Sequence, residues 1–157
     1  MYLNFNLAVV RDRKKKIKRI LLASDHAGFK LKDKIKRYLI KKGNMVLDLG
    51  TKNTNSVDYP DYAHLLSKKM KNNKSQIGIL ICGTGIGMDM AANKHKNIRA
   101  ALCYNVKSTK LSRQHNNANV MSIGARLIKA KTALTCVNTF LKTEFVGGRH
   151  IKRIKKI

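Results

Sequence analysis

The chain has 157 residues, 43% of them hydrophobic, enough for one sizeable core and short for two independent ones. Its formal charge of +26 points toward polyanions, yet the excess is dispersed between basic ends at 1–19 and 149–157, with 25 Lys against 9 Arg. A dispersed excess is a weak nucleic-acid footprint, and codon bias explains much of it better, so nucleic acid is not the expected partner. Cys82, Cys103 and Cys136 are odd in number and lack metal-ligand spacing, which argues against a disulfide framework and a zinc site. No apolar stretch approaches membrane-spanning length, and the start MYLNFNLAVVRDRKKK places its apolar run before its charges, unlike a secretory signal. The expectation is a cytoplasmic chain with a basic extension over 1–16, either disordered or a mis-assigned start, and a single domain over 17–157.

The run Ile17–Ser24 reads as a first strand, ending at Asp25-His26-Ala27-Gly28, where Gly28 supplies an unusual backbone turn. Phe29, Leu31, Ile35, Leu39 and Ile40 recur at helical spacing and stop at Gly43-Asn44. Met45–Leu49 is a second strand. Residues 50–57 are polar loop, and Asp58-Tyr59-Pro60-Asp61 opens a helix to about Met70, with Pro60 tolerated in the first turn. Ile77–Ile81 is the clearest buried strand. Helices are expected over Met88–Lys94, Val106–His115 and Ala130–Leu141, strands over Ile98–Tyr104 and Val120–Ala125, and a terminal helix over Arg149–Ile157. Five parallel strands with helices between them make a three-layer, Rossmann-like α/β sheet. Ligands in such sheets sit beyond the carboxyl ends of the strands, where Asp25, Cys82 and Asn105 fall.

Cys82-Gly83-Thr84-Gly85-Ile86-Gly87 follows a buried strand and opens a helix, so successive N–H groups turn toward one point and stabilise negative charge. It lacks the Lys-Ser/Thr of a nucleotide P-loop, and its glycines do not keep dinucleotide spacing. An anion hole survives the elimination. Cys82 stands beside that turn, where a helix N-terminus favours thiolate over the ordinary value of about 8.5 and suits a general base. Cys103 and Cys136 read as structural.

Asp25 and His26 form an acid–imidazole pair that core packing explains poorly, although a structural role stays open. His115 ends a helix and fits a capping role as well as a catalytic one. Arg149 and Arg153 share a helical face suited to a phosphate, or belong to a solvated basic tail; Arg126 is a third candidate.

Taken together, Ser24-Asp25-His26-Ala27-Gly28-Phe29-Lys30-Leu31-Lys32, Asp58-Tyr59-Pro60, Ile81 to Gly87, Ala91-Ala92-Asn93-Lys94, Leu111 to Asn116 and Gly147-Gly148-Arg149-His150 closely resemble the ribose-5-phosphate isomerase B family, which includes allose-6-phosphate and galactose-6-phosphate isomerases. The resemblance implies interconversion of ribose 5-phosphate and ribulose 5-phosphate through an enediolate, a step of the pentose phosphate pathway, without metal or organic cofactor. It gives Cys82 the proton between C1 and C2, the N–H groups from Gly83 through Gly85, Ile86 and Gly87 the enediolate oxygens, and His115 with Asp25 the ring opening. His26, Arg126, Arg149 and Arg153 match positions associated with phosphate. Tyr59, Thr84 and Asn116 match positions lining the sugar, Thr84 being counted with the catalytic set; His150 is a weaker candidate.

Family members are homodimers or homotetramers whose sites combine two subunits, so the resemblance implies that the C-terminal helix reaches a neighbour. Three departures stand out: an extended N-terminus, a C-terminal helix that stops soon after Arg153, and Asp89 in place of a small polar residue. An acid one turn past the anion hole is expected to face solvent or a lysine. The alternative substrate is a hexose 6-phosphate. Galactose-6-phosphate isomerases resemble a two-chain assembly in which one chain lacks the cysteine, so a lone chain bearing Cys82 favours the pentose. A polyanion-binding role on the same scaffold is the alternative of another class, and it predicts nucleic-acid binding that survives physiological salt.

Overall fold

The computed structural model describes residues 19–70 and 76–157. The expected extension over 1–16, together with Ile17 and Lys18 of the predicted first strand, lies outside the described residues. In chain order the elements are β1 (Arg19–Ser24), α1 (Phe29–Lys41), β2 (Met45–Asp48), α2 (Tyr59–Lys69), β3 (Gln76–Cys82), α3 (Ile86–Ala92), β4 (Ala100–Leu102), α4 (Val106–Asn116), β5 (Val120–Gly124), α5 (Ala130–Lys142) and α6 (Arg149–Ile154). The sheet is parallel throughout, in the order β2-β1-β3-β5-β4. The expected three-layer, Rossmann-like architecture is the one observed.

The central strands are apolar on both faces because helices cover both. Ile20, Leu22, Ile79, Ile81, Met121 and Ile123 point to one side, against Leu31, Ile35 and Leu39 of α1 and Ala133, Val137 and Phe140 of α5. Leu21, Ala23, Leu80 and Cys82 point to the other, against Ala63 and Leu66 of α2 and Met88 and Ala92 of α3. Neighbouring residues of one strand thus enter two different cores, the period-two rule applied to a doubly covered sheet. Burying each of the larger side chains contributes roughly 1.5–3 kcal/mol.

Several boundaries differ from expectation: α6 ends at Ile154 rather than Ile157, α3 at Ala92 and β5 at Gly124, and two further differences have identifiable reasons. β4 has three residues rather than the seven from Ile98 to Tyr104. Ile98 closes a turn on the His95 carbonyl, and the Arg99 N–H donates to the Asn119 side chain instead of to a neighbouring strand. α3 starts two residues earlier than Met88 because Gly85 adopts φ +80 and turns the chain directly into it. α1 stops where the sequence indicated, with Gly43 at φ +76.

The chain leaves β1 for β2 on one side of the sheet and crosses back to β3 on the other. The carboxyl ends of β1 and β3 therefore meet at the point where strand order reverses, the usual crevice of such folds. Asp25 follows β1 and Cys82 ends β3.

Candidate active site

The ends of β1 and β3 are joined by an N–H of Asp25 donating to the Ile81 carbonyl at 3.2 Å. Asp25 is buried, and its Oδ1 accepts the Gly28 N–H at 2.9 Å, tying the strand end to the mouth of α1. Gly28 corrects one expectation. Its φ of −85 is ordinary, so no unusual turn demands glycine there. What demands it is crowding: a Cβ would be driven into the backbone carbonyl of Ile81. His26 is oriented separately, with the Val57 N–H donating to its Nδ1 at 3.2 Å, which leaves Nε2 available to another partner. Asp25 and His26 thus engage different partners rather than each other, and the acid–imidazole pair expected from their adjacency does not form.

Cys82 is 4% exposed and sits at the mouth of the anion turn, where the Gly85 N–H donates to its Sγ at 3.0 Å. The three glycines of the turn serve three different contacts. Gly85 carries the left-handed conformation and lies against Leu102, Ile123 and Gly124; its carbonyl is anchored by the Ser122 hydroxyl at 2.6 Å. Gly83 leaves room for the Arg126 guanidinium, whose Nη1 would lie 3.0 Å from a Cβ there. Gly87 leaves room for the Tyr59 ring, at 2.6 Å from such a Cβ. Arg126 is further held by its own N–H donating to the Gly83 carbonyl at 3.0 Å. Thr84 is exposed on the turn, its hydroxyl accepting the Ile86 N–H at 3.3 Å.

The fold therefore brings Asp25, His26, Tyr59, Cys82 through Gly87 and Arg126 to one crevice. The remaining candidates form a second cluster. His115, in the last turn of α4, stacks on His150 of α6 with ring centroids 4.4 Å apart and planes 7° from parallel. Arg149 and Arg153 are exposed on α6, which packs against α4, and Asn116 ends α4. Burial, then the neighbouring His115, Arg149 and Arg153, holds the His150 imidazolium below its usual range. Sequence spacing foresaw the shared face of Arg149 and Arg153 but not the histidine stack, which joins two elements 35 positions apart.

Asp89 meets its expectation only in part. No lysine pairs with it among the described residues and the carboxyl is half-buried: Oδ2 accepts from the Asn93 amide at 3.3 Å on the exposed side, while Oδ1 is buried and finds no hydrogen-bond partner among the described residues. Burial raises its pKa, which the Asn93 hydrogen bond only partly offsets. Asn93 links Asp89 to β4, since it also bonds both the N–H and the carbonyl of Ala100.

Arg113 emerges only in three dimensions. Its guanidinium donates to the carbonyls of Ala118 and, at 3.2 Å, Thr143, and lies 5.3 Å from the centre of the Phe140 ring. It thus clasps the His115 end of α4 to the end of α5. Cys103 and Cys136 are buried, and burial pushes the Cys103 thiol up to about 11, the Thr109 and Ser112 hydroxyls offsetting part of it. Among the described residues, no group of three or more His, Cys, Asp or Glu side chains is placed to hold a metal ion, and no helix is long and apolar enough to cross a membrane.

Residues 20–157 match the family model described as Ribose/Galactose Isomerase. A putative sugar phosphate isomerase of Rickettsia bellii is 49% identical over 138 residues, 88% of this chain and 96% of that one. The crystal structure of a ribose 5-phosphate isomerase from Thermotoga maritima superposes with a TM-score of 0.86 at 51% identity, covering 88% of this chain and 96% of that chain. The ribose-5-phosphate isomerase B of Mycoplasma genitalium, solved with bound ribulose-5-phosphate, gives 0.85 at 46% identity, covering 88% and 92%. With the crevice, the anion turn and these likenesses in agreement, the chain belongs to the ribose/galactose isomerase family.

Proposed function

We propose that the chain interconverts ribose 5-phosphate and ribulose 5-phosphate, with Cys82 as the general base, as a cytoplasmic enzyme of pentose phosphate metabolism. The observation that carries the reading is the Gly85 N–H donating to Cys82 Sγ from inside the glycine-rich turn that opens α3, whose backbone would supply the donors for an oxyanion. A base directly beside oriented donors is what enolisation needs. In the forward direction, the thiolate takes the proton from C2 of the open-chain aldose and the carbonyl electrons move onto O1. Donors over Gly83 to Gly87 hold the charge of the enediolate. Returning the proton to C1, as the O2 proton passes to O1, completes the ketose. The likeness to a protein solved with ribulose-5-phosphate supports the substrate class.

His115 and Asp25 would open the furanose, Asp25 lying at the crevice floor, while Arg126, Arg149 and Arg153 would neutralise the phosphate and His26 would hydrogen-bond it. Tyr59, Thr84 and Asn116 would line the sugar. These assignments need more than one chain, because His115, Arg149 and Arg153 belong to the α4–α6 cluster and not to the Cys82 crevice. A homodimer in which α4 and α6 of one subunit complete the crevice of the other reconciles them. Ile86 and Met90 on one face of α3, with Tyr104, Val106 and Leu127, are exposed apolar side chains suited to such a contact.

Two measurements test this. Cys82→Ala is expected to abolish conversion of ribose 5-phosphate, and retained activity would remove Cys82 as the base. Mixing the inactive Cys82→Ala and His115→Ala chains under exchange conditions is expected to restore roughly a quarter of wild-type activity, since half of the random dimers carry one intact site. No recovery would argue for sites built within one chain. Running allose 6-phosphate and galactose 6-phosphate beside the pentose phosphate settles substrate length.

A further inference from the structure

Lys32 is 2% exposed, among the largest fully buried side chains of the described residues, and nothing in the proposed chemistry uses it. Lysine is almost never so buried unless paired. Its ammonium donates to Asp48 Oδ1 and, at 2.8 Å, to the Thr51 carbonyl. Asp48 in turn accepts from Lys36 at 3.0 Å and from the Gly50 N–H at 3.1 Å. Burial alone would raise the Asp48 carboxyl, but the hydrogen bonds from Lys32, Gly50 and Lys36 outweigh it and hold it below its ordinary value.

Backbone bonds run from residue 32 to Asp25. The backbone N–H of Lys32 donates to the Gly28 carbonyl at 2.8 Å, the first helical bond of α1, and the Gly28 N–H donates to Asp25 Oδ1. On the other side, the Thr51 carbonyl that accepts from Lys32 belongs to a segment bracketing the residue before Asp25. The Thr51 N–H donates to the Ser24 carbonyl at 2.8 Å, and the Ser24 N–H donates to the Gly50 carbonyl at 2.7 Å. The Lys32 ammonium thus ties α1 to the end of β2 and to the loop after it, and backbone bonds tie that loop in turn to the end of β1.

We propose that Lys32 is a positioning residue for ring opening, fixing the Asp25 carboxyl by tying the 48–51 loop to α1. The proposal rests on the ring-opening reading of Asp25. A buried ion pair is a poor stabiliser, often replaceable by an apolar side chain of similar length without loss. Holding geometry is the service an apolar side chain cannot supply, and small misplacements of a reacting group cost up to about 100-fold in rate.

The test separates enolisation from ring chemistry. Ribulose 5-phosphate is open-chain, so deuterium from D2O enters its C1 through Cys82 and the anion turn without ring closure, whereas net conversion to ribose 5-phosphate includes closure. Lys32→Met is expected to melt near the wild-type temperature and keep its exchange rate, while net conversion falls about 10- to 100-fold. Asp48→Asn, which keeps shape but weakens the tie, is expected to shift the same ratio and carries the test if Lys32→Met does not fold. Asp25→Asn runs in parallel. An unchanged ratio in Asp25→Asn overturns the ring-opening reading beneath the proposal. An altered ratio there beside an unchanged one in both tie variants overturns the role of Lys32 alone, and a joint loss of exchange and conversion overturns it as well.

Discussion

Gly85→Ala tests whether the anion turn is held by backbone geometry that only glycine allows. Gly85 has φ +80, and a Cβ there would lie 2.6 Å from Leu102 Cδ1, 2.8 Å from the Ile123 carbonyl carbon and 2.9 Å from the Gly124 nitrogen. The first contact yields to a rotamer change; the other two are backbone of β5 and do not. Gly43 is the control, with φ +76 and nothing within 4 Å of its Cβ. Left-handed strain costs each alanine about 1–2 kcal/mol, and overpacking adds about 1–3 kcal/mol at Gly85 alone. Urea denaturation should therefore show Gly85→Ala the less stable variant by about 1–3 kcal/mol. Because the Gly85 N–H donates to Cys82 Sγ, displacement of the turn should also lower kcat by about 100- to 1000-fold, the usual cost of a lost oxyanion donor. Equal stability of the two variants, or Gly85→Ala at full activity, would refute the reasoning.

Asp89→Asn is expected to raise the melting temperature at neutral pH. The raised carboxyl pKa means that the native state favours the protonated form, so its contribution to stability is full below the unfolded value of about 3.8 and is lost as pH rises through the folded value. The gain from the amide should therefore vanish near pH 3, and a pH-independent difference between the two proteins would contradict the burial argument. His95 has the opposite sign. Burial, then the His64 ring at a 2.7 Å nitrogen separation, then Lys68, lowers its pKa, so stability present above about 6.5 is lost as pH falls. His95→Gln should flatten the fall in stability between pH 7.5 and 5.5, a window set by that reference value, and an unchanged slope would discount the pair. With its thiol pushed up to about 11, Cys103 should resist iodoacetamide at pH 8 in the native protein and react in denaturant, as read by peptide mass. Native labelling of Cys103 would contradict its burial.

The architecture was legible because its signals are local. Apolar runs long enough only for strands, helical spacing in α1 and α5, and Gly43 as a stop need no partner to be read. The anion turn was legible for the same reason, since six consecutive residues contain the strand end, the base and the donors. β4 was overestimated because strand length is decided by which neighbour accepts each N–H, and Asn119 intercepts Arg99 from 20 positions away. Gly28 was recognised as necessary for the wrong reason: its conformation is ordinary, and the constraint comes from the Ile81 carbonyl across the crevice.

By itself, then, the sequence determined the α/β alternation, the doubly apolar central strands and the Cys82 turn, all of which arise from residues near one another in the chain. Only the tertiary structure decided how distant groups share space. It set the Arg126 guanidinium against Gly83 and stacked His115 on His150. It left one Asp89 oxygen buried without a partner among the described residues, and it buried Lys32 where its charge ties α1 to Asp48 and Thr51. The physical reason is that burial and hydrogen-bond partnership depend on which elements the parallel sheet brings side by side, and short-range periodicity carries no record of that.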